Sequence, residues 1–166
     1  LFGGATPYLG AVDPSDPSVL YVRLDTTPGR LLQSVDGGES WATLLTIPGF
    51  LKAFALSPDG STALAGGPTD GLWRAKTIDL SFMKVSSMAA TCLSWAKDRV
   101  YACSDQVLVS LSTDMGSSFT PLLPLQCVRG PLSCDPATSV GAACPAMWPP
   151  IAQQIESLLT NSHGGL

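Results

Sequence analysis

Short apolar runs separated by polar turns recur along the chain from Leu9 to Leu125. The first run of each group falls at residues 9–12, 53–56 and 92–95, followed by the polar stretches DPSDPS, SPDGS and AKDR. A second run comes at 20–23, 62–65 and 99–102, and a third at 30–34, 71–75 and 107–112. Runs this short, bounded by Gly, Pro, Asp and Ser, have the length and punctuation of strands and not of helices. Sixteen glycines and fourteen prolines suit many short strands joined by tight turns.

Each third run leads into a turn, and two of these turns share a motif. Ser34, Asp36, Gly38 and Trp41 read S-x-D-x-G-x-x-W; Ser112, Asp114, Gly116 and Phe119 read S-x-D-x-G-x-x-F. Trp41 and Phe119 stand 78 residues apart, two units of 39, so a third copy is expected midway. Residues 75–82 fill that place: Phe82 keeps the aromatic, while the Ser, the Asp in its proper place and the Gly are lost. Short polar side chains such as Ser and Asp can bond the backbone of their own turn, and Gly permits a positive φ. The aromatic then buries a large apolar surface between neighbouring sheets. A fourth strand is expected to begin at each aromatic.

The pattern therefore predicts an all-β chain: a partial β-propeller of about three four-stranded antiparallel blades. Their bounds are about 9–45, 50–86 and 90–124 within residues 1–125. Residues 126–166 read as a cysteine-bearing tail, irregular as far as Pro145. In it Ile151, Ile155, Leu158 and Leu159 recur at one helix face after Pro149 and Pro150, predicting a short helix over about 150–160 that packs on the blades.

The five cysteines are Cys92, Cys103, Cys127, Cys134 and Cys144. No C-x-x-C pair exists and the single histidine, His163, lies near the end, so no metal site and no cofactor is expected. Disulfides in an oxidising compartment fit better. Cys92 and Cys103 flank a hairpin centred between Lys97 and Asp98, which places them opposite each other on adjacent strands. Cys134 and Cys144 would tie the tail and leave Cys127 over, or Cys127 pairs with either of them.

Composition narrows the function. The chain carries a net charge of −4 with no basic cluster, which argues against nucleic-acid binding. No run of 18 apolar residues is present, so no membrane span is expected. The chain opens on Leu1 without a charged leader, the mark of a processed or trimmed piece.

With Ser34, Asp36, Gly38, Trp41, Ser112, Asp114, Gly116 and Phe119 in place, the sequence resembles the Asp-box (bacterial neuraminidase repeat) β-propellers over about residues 9–122. The family includes sialidases, xyloglucanases, sortilin-type receptors and photosystem assembly factors, and the secreted bacterial members are the nearest in flavour. The resemblance implies the fold; the box says little of activity, since enzymes and binding proteins share it. The cysteines, read as disulfides of an oxidising compartment, lead to the expectation of a secreted or cell-surface chain.

Sialidases of that family use an arginine triad, a tyrosine nucleophile and acidic partners. Here the arginines are Arg23, Arg30, Arg74, Arg99 and Arg129; no F-R-I-P stretch precedes the first box, and Arg23, Arg74 and Arg99 stand at different places in their repeats and read as solvated strand ends. A xyloglucanase-type site needs two facing carboxylates about 5–10 Å apart. Asp70, Asp79, Asp98 and Asp105 each fall in a turn or loop, where Asp is favoured anyway. The expectation is a non-enzymatic extracellular module for protein or glycan recognition or surface assembly, joined to further blades or copies. The alternative is a fragment of a secreted glycoside hydrolase of the sialidase or xyloglucanase type. Trp73, Trp95 and Trp148 are the aromatic candidates for a contact surface.

Overall fold

The structure, a computed structural model, describes residues 2–128, 130 and 135–161. Twelve strands form three antiparallel sheets. The first holds β1 (Pro7–Val12), β2 (Leu20–Leu24), β3 (Gly29–Ser34) and β4 (Ala42–Ile47), paired in chain order. The second holds β5 (Ala53–Leu56), β6 (Thr62–Gly67), β7 (Gly71–Lys76) and β8 (Met83–Ser86) in the same order. The third holds β9 (Cys92–Ala96), β10 (Arg99–Cys103), β11 (Val107–Ser112) and β12 (Thr120–Pro124). Each fourth strand starts one residue after its aromatic, at Ala42, Met83 and Thr120.

The sheets stack in chain order because alternate residues of each strand face opposite neighbours. Tyr21, Leu31, Leu45 and Ile47 of the first sheet meet Phe54, Ala63 and Ala65 of the second, with Leu51 between them, in one buried cluster. Behind it, Ala53, Leu72 and Ala90 form a second cluster against Leu93 and Phe119 of the third sheet. The middle sheet is thus covered on both faces, and all six residues of β6 are buried. Its sequence, TALAGG, is small and apolar because two sheets press on it. A Cβ on Gly67 would collide with the Phe50 carbonyl, so only glycine fits where the first sheet's link crosses β6.

The outer face of the first sheet, built on Val22, Leu24 and Leu32, is covered by Phe2, Ala5 and Trp41. Phe2 meets the Trp41 indole edge-on, with ring centroids 5.7 Å apart. The aromatic of each turn packs on the side facing the start of the chain: Trp41 on that outer face, Phe82 between the first and second sheets, Phe119 between the second and third.

The tail departs from expectation. After a 3-10 turn (Leu125–Cys127), α1 runs Ser139–Asn161, eleven residues longer at its start than the proline-led reading of 150–160. The true start signal is Thr138, whose hydroxyl accepts the Gly141 N–H at 3.0 Å. Pro145, Pro149 and Pro150 lie inside the helix, not at its head. The helix also packs less on the blades than expected: Ile151 is 42% exposed and Ile155 half-buried, while the Leu158 and Leu159 side chains lie outside the described residues. No helix among the described residues is long and apolar enough to cross a membrane.

Cys92 and Cys103 pair directly across β9 and β10 and form a disulfide, with Cα atoms 5.1 Å apart. Cys127 and Cys144 carry free thiols, so a tie between these two is not formed; the helix carries Cys144 away from the expected irregular loop. Cys134, Arg129 and His163 lie outside the described residues.

Candidate functional site

An up-down sheet puts its β1–β2 and β3–β4 turns at one end and its β2–β3 turn at the other. Several carboxylates stand in turns at the first of these ends, and four of them accept serine hydroxyls of their own turn. Asp36 accepts from the Ser34 hydroxyl at 2.6 Å, the Ser40 N–H at 2.9 Å and the Ser40 hydroxyl at 2.5 Å. Ser34 in turn accepts the Gly38 N–H at 2.8 Å, and the Trp41 indole N–H donates to the Gly38 carbonyl at 3.0 Å. Asp114 repeats the pattern, accepting from the Ser112 hydroxyl and from the N–H and hydroxyl of Ser118, while Ser112 accepts the Gly116 N–H. Gly38 and Gly116 hold φ of +100° and +85°, as the motif requires.

Two further turns carry the same chemistry without the full motif. In the β5–β6 turn, Asp59 accepts from the hydroxyls of Ser57 and Ser61, and the Thr62 N–H donates to Ser57. In the β1–β2 turn, Asp13 accepts the N–H and hydroxyl of Ser15. Sequence reading took SPDGS and DPSDPS only as polar turns; the Ser-x-Asp and Asp-x-Ser spacings were the available signal. The middle turn has a different build: Asp79 accepts the Ser81 N–H at 3.0 Å, and Leu80 takes the positive φ, at +52°.

These bonds stabilise the ionised carboxylates. The Ser34 and Ser40 hydroxyls hold Asp36 far below its ordinary 3.8, and Ser118, then Ser112, do the same for Asp114. Asp59 is lowered to about 2, chiefly by the Ser57 hydroxyl. Groups whose pKa is depressed by folding contribute stability that is full above the unfolded value and lost as pH falls toward the folded one. The melting temperature is therefore expected to hold steady down to about pH 4 and to drop below it. In the double variant Asp36→Ala/Asp114→Ala it should be lower at neutral pH and fall less on acidification. An acid melting profile identical to that of the unsubstituted chain would contradict this reading.

The arginines do not converge. The Arg74 guanidinium donates from β7 to the Asp114 and Met115 carbonyls at 3.3 and 3.0 Å and to the Ser117 hydroxyl at 3.1 Å, clamping the third sheet's turn onto the second. Arg23 lies over the Tyr8 ring, 4.3 Å from its centroid, and reaches the Leu51 carbonyl at 3.4 Å. Both were expected as solvated strand ends; both instead bind backbone beyond their own sheet. Arg99 is exposed beside Asp98. Of the loop carboxylates, Asp70 accepts the Gly49 N–H at 3.0 Å, tying the first link to the β6–β7 turn.

The open surface lies along the inner edges. β1, β5 and β9 are each the first strand of their sheet, and β5 lies beside both of the others. Between them runs a groove of about 340 Å³, lined by Gly10, Val12, Phe54, Leu56, Leu93 and Trp95 among others, with no ionisable residue in the lining among the described residues. Gly10 makes room for the Phe54 ring, whose Cδ1 lies 2.7 Å from where a Cβ would stand. Trp95 is half-buried in this wall. Trp73 packs on the core between the first two sheets, and its indole N–H is buried without a hydrogen-bond partner among the described residues. Trp148 is half-buried on α1. Among the described residues, no three acidic, His or Cys side chains gather as a metal site.

No protein-family model matches the chain, and no curated protein matches it in sequence. Solved structures do match in fold. The GH74 xyloglucanase from Xanthomonas campestris superposes with a TM-score of 0.54 at 21% identity, over 68% of this chain and 22% of that one. YCF48 bound to D1 peptide superposes with a TM-score of 0.51 at 10% identity, over 73% of this chain and 45% of that one. Both are β-propellers, and the three stacked sheets here form part of one. The chain spans less than half the length of either.

Proposed function

We propose that this chain is a non-enzymatic extracellular recognition module of the Asp-box type, and that it engages an extended peptide segment of a protein partner in the groove along β1, β5 and β9. The observation that carries the reading is that groove: apolar, open, and rimmed by edge strands. Among the described residues β1 and β9 have no strand beyond them in their sheets, which leaves their outer backbone groups open to pairing with an added strand. Phe54, Leu56, Leu93 and Trp95 offer apolar contacts for alternate side chains of such a segment. The carboxylates of the box end support the same reading from the other side, because the turns already use Asp36, Asp59 and Asp114. They act as structural staples. The Cys92–Cys103 disulfide supports an oxidising, secreted setting. The part-propeller arc favours work in an assembly, with further blades or partner chains completing it.

The test is panning of the immobilised chain against a random-peptide phage library, followed by titration of enriched synthetic peptides. Affinity is expected to fall at least tenfold in Trp95→Ala and in Ser94→Arg, which puts a long charged side chain on an exposed position of the groove. Ser94→Arg guards against loss of folding in the tryptophan variant. Peptides that bind both variants unchanged would overturn the proposal, as would release of reducing sugar from xyloglucan or of sialic acid from a sialoside.

A further inference from the structure

A second cavity, of about 480 Å³, opens between the second and third sheets at the end opposite the bound carboxylates. Its rim is the end of β8, with Ser86 and Ser87, and the β10–β11 loop, with Ser104, Asp105 and Gln106. Its wall is the Phe119 ring with Pro121 and Val107. The volume is in the range of small-molecule sites, about 300–1,000 Å³.

The rim is polar and its hydrogen-bonding capacity is largely unspent. Ser86 and Ser104 accept the N–H groups of Met88 and Val107 at 3.2 and 3.1 Å, which leaves each hydroxyl proton free to donate. The side chains of Ser87, Asp105 and Gln106 make no hydrogen bond among the described residues, and all three are exposed. Among the described residues, Asp105 is the one ionisable residue in the lining, with no Lys, Arg or His beside it to balance an anion. Phosphates and acidic sugars would meet an uncompensated carboxylate. A neutral ligand would not.

We infer that this cavity binds a neutral sugar ring. Such a ring is two-faced: its C–H face packs on an aromatic ring and proline, and its hydroxyls point outward at the edge. Phe119 and Pro121 supply the apolar wall, while the Asp105 carboxylate accepts from paired hydroxyls and the Gln106 amide both donates and accepts. The site shares no lining residue with the inner groove, so it stands or falls apart from the peptide-binding proposal.

Isothermal titration of the full chain with cellotetraose, mannotetraose, chitotetraose and sialyllactose tests this. At least one neutral tetrasaccharide is expected to bind and sialyllactose to fail. Asp105→Ala and Gln106→Ala, both at exposed positions without hydrogen bonds to lose, should each weaken binding at least about tenfold with unchanged melting. Trp95→Ala should leave it intact. The inference is overturned if no neutral tetrasaccharide binds at millimolar concentration, or if binding survives both rim variants, or if it is lost with Trp95 instead.

Discussion

Tyr21→Ala is expected to cost about 3–5 kcal/mol of folding free energy, the range for removing a large buried aromatic. Tyr21 is 1% exposed and stacks on Phe54 across the first and second sheets, with ring centroids 5.4 Å apart and planes 27° from parallel. The pair sits in the buried cluster between these two blades, so its loss leaves a void that Leu31 and Ala63 cannot fill from fixed strands. Against a usual domain stability of about 5–15 kcal/mol, the variant should be marginal at room temperature. Tyr21→Phe separates ring from hydroxyl. It keeps the stack and loses only the bond that the Gln33 amide donates to the Tyr21 oxygen at 3.1 Å, an expected cost of about 1 kcal/mol. Urea unfolding read by circular dichroism checks both. A loss below about 1 kcal/mol for Tyr21→Ala would mean that the first two sheets are not held together as described.

Leu64→Ala is the second large effect, expected at about 2–5 kcal/mol. Leu64 is fully buried on the face of β6 that looks toward the third sheet, and its Cδ1 lies 3.0 Å from where a Cβ on Gly116 would stand. The opposite face of the strand is already committed, through Ala63 and Ala65, to the first sheet. The strand therefore cannot shift to close the gap. Gly116→Ala approaches the same contact from the other side: it presses a methyl on Leu64 and strains a φ of +85°. Combining the two should cost less than the sum of the single changes, because the smaller residue 64 admits the new methyl. Additive losses would show that the box glycine does not pack on Leu64.

Much of this fold was legible because strands carry their own signals. Apolar runs at 53–56 and 107–112 match β5 and β11 end for end, and the others fall within a few residues. Trp41, Phe82 and Phe119 marked the fourth strands because a turn that buries an aromatic must be followed by chain that covers it. Cys92 and Cys103 were readable as a pair because a two-residue hairpin fixes its own register. What stayed hidden depends on neighbours rather than on local pattern. Arg74 looks like any exposed arginine until the next repeat's turn is placed beside it. The middle turn gave no warning that Leu80 would carry the positive φ. In the tail, three prolines outweighed the quieter cap at Thr138, and the helix start was missed by eleven residues.

The site was less legible than the fold for the same reason. Trp95 was one of three tryptophan candidates in the sequence and was read there as a core-packing residue; only the meeting of β1, β5 and β9 sets it in a groove, apart from Trp73 in the core and Trp148 on the helix. The carboxylates at the turns drew attention as acidic residues do, and Asp13, Asp36, Asp59 and Asp114 are each engaged within their own loop.

The claim that this arc of blades works through its inner edge is tested most directly by hydrogen–deuterium exchange, free and with an enriched peptide bound. The account predicts slower exchange at residues 7–12, 53–56 and 92–96, with the turns at 34–41 and 112–119 unchanged. Protection confined to those turns or to the outer strands β4, β8 and β12 would contradict it.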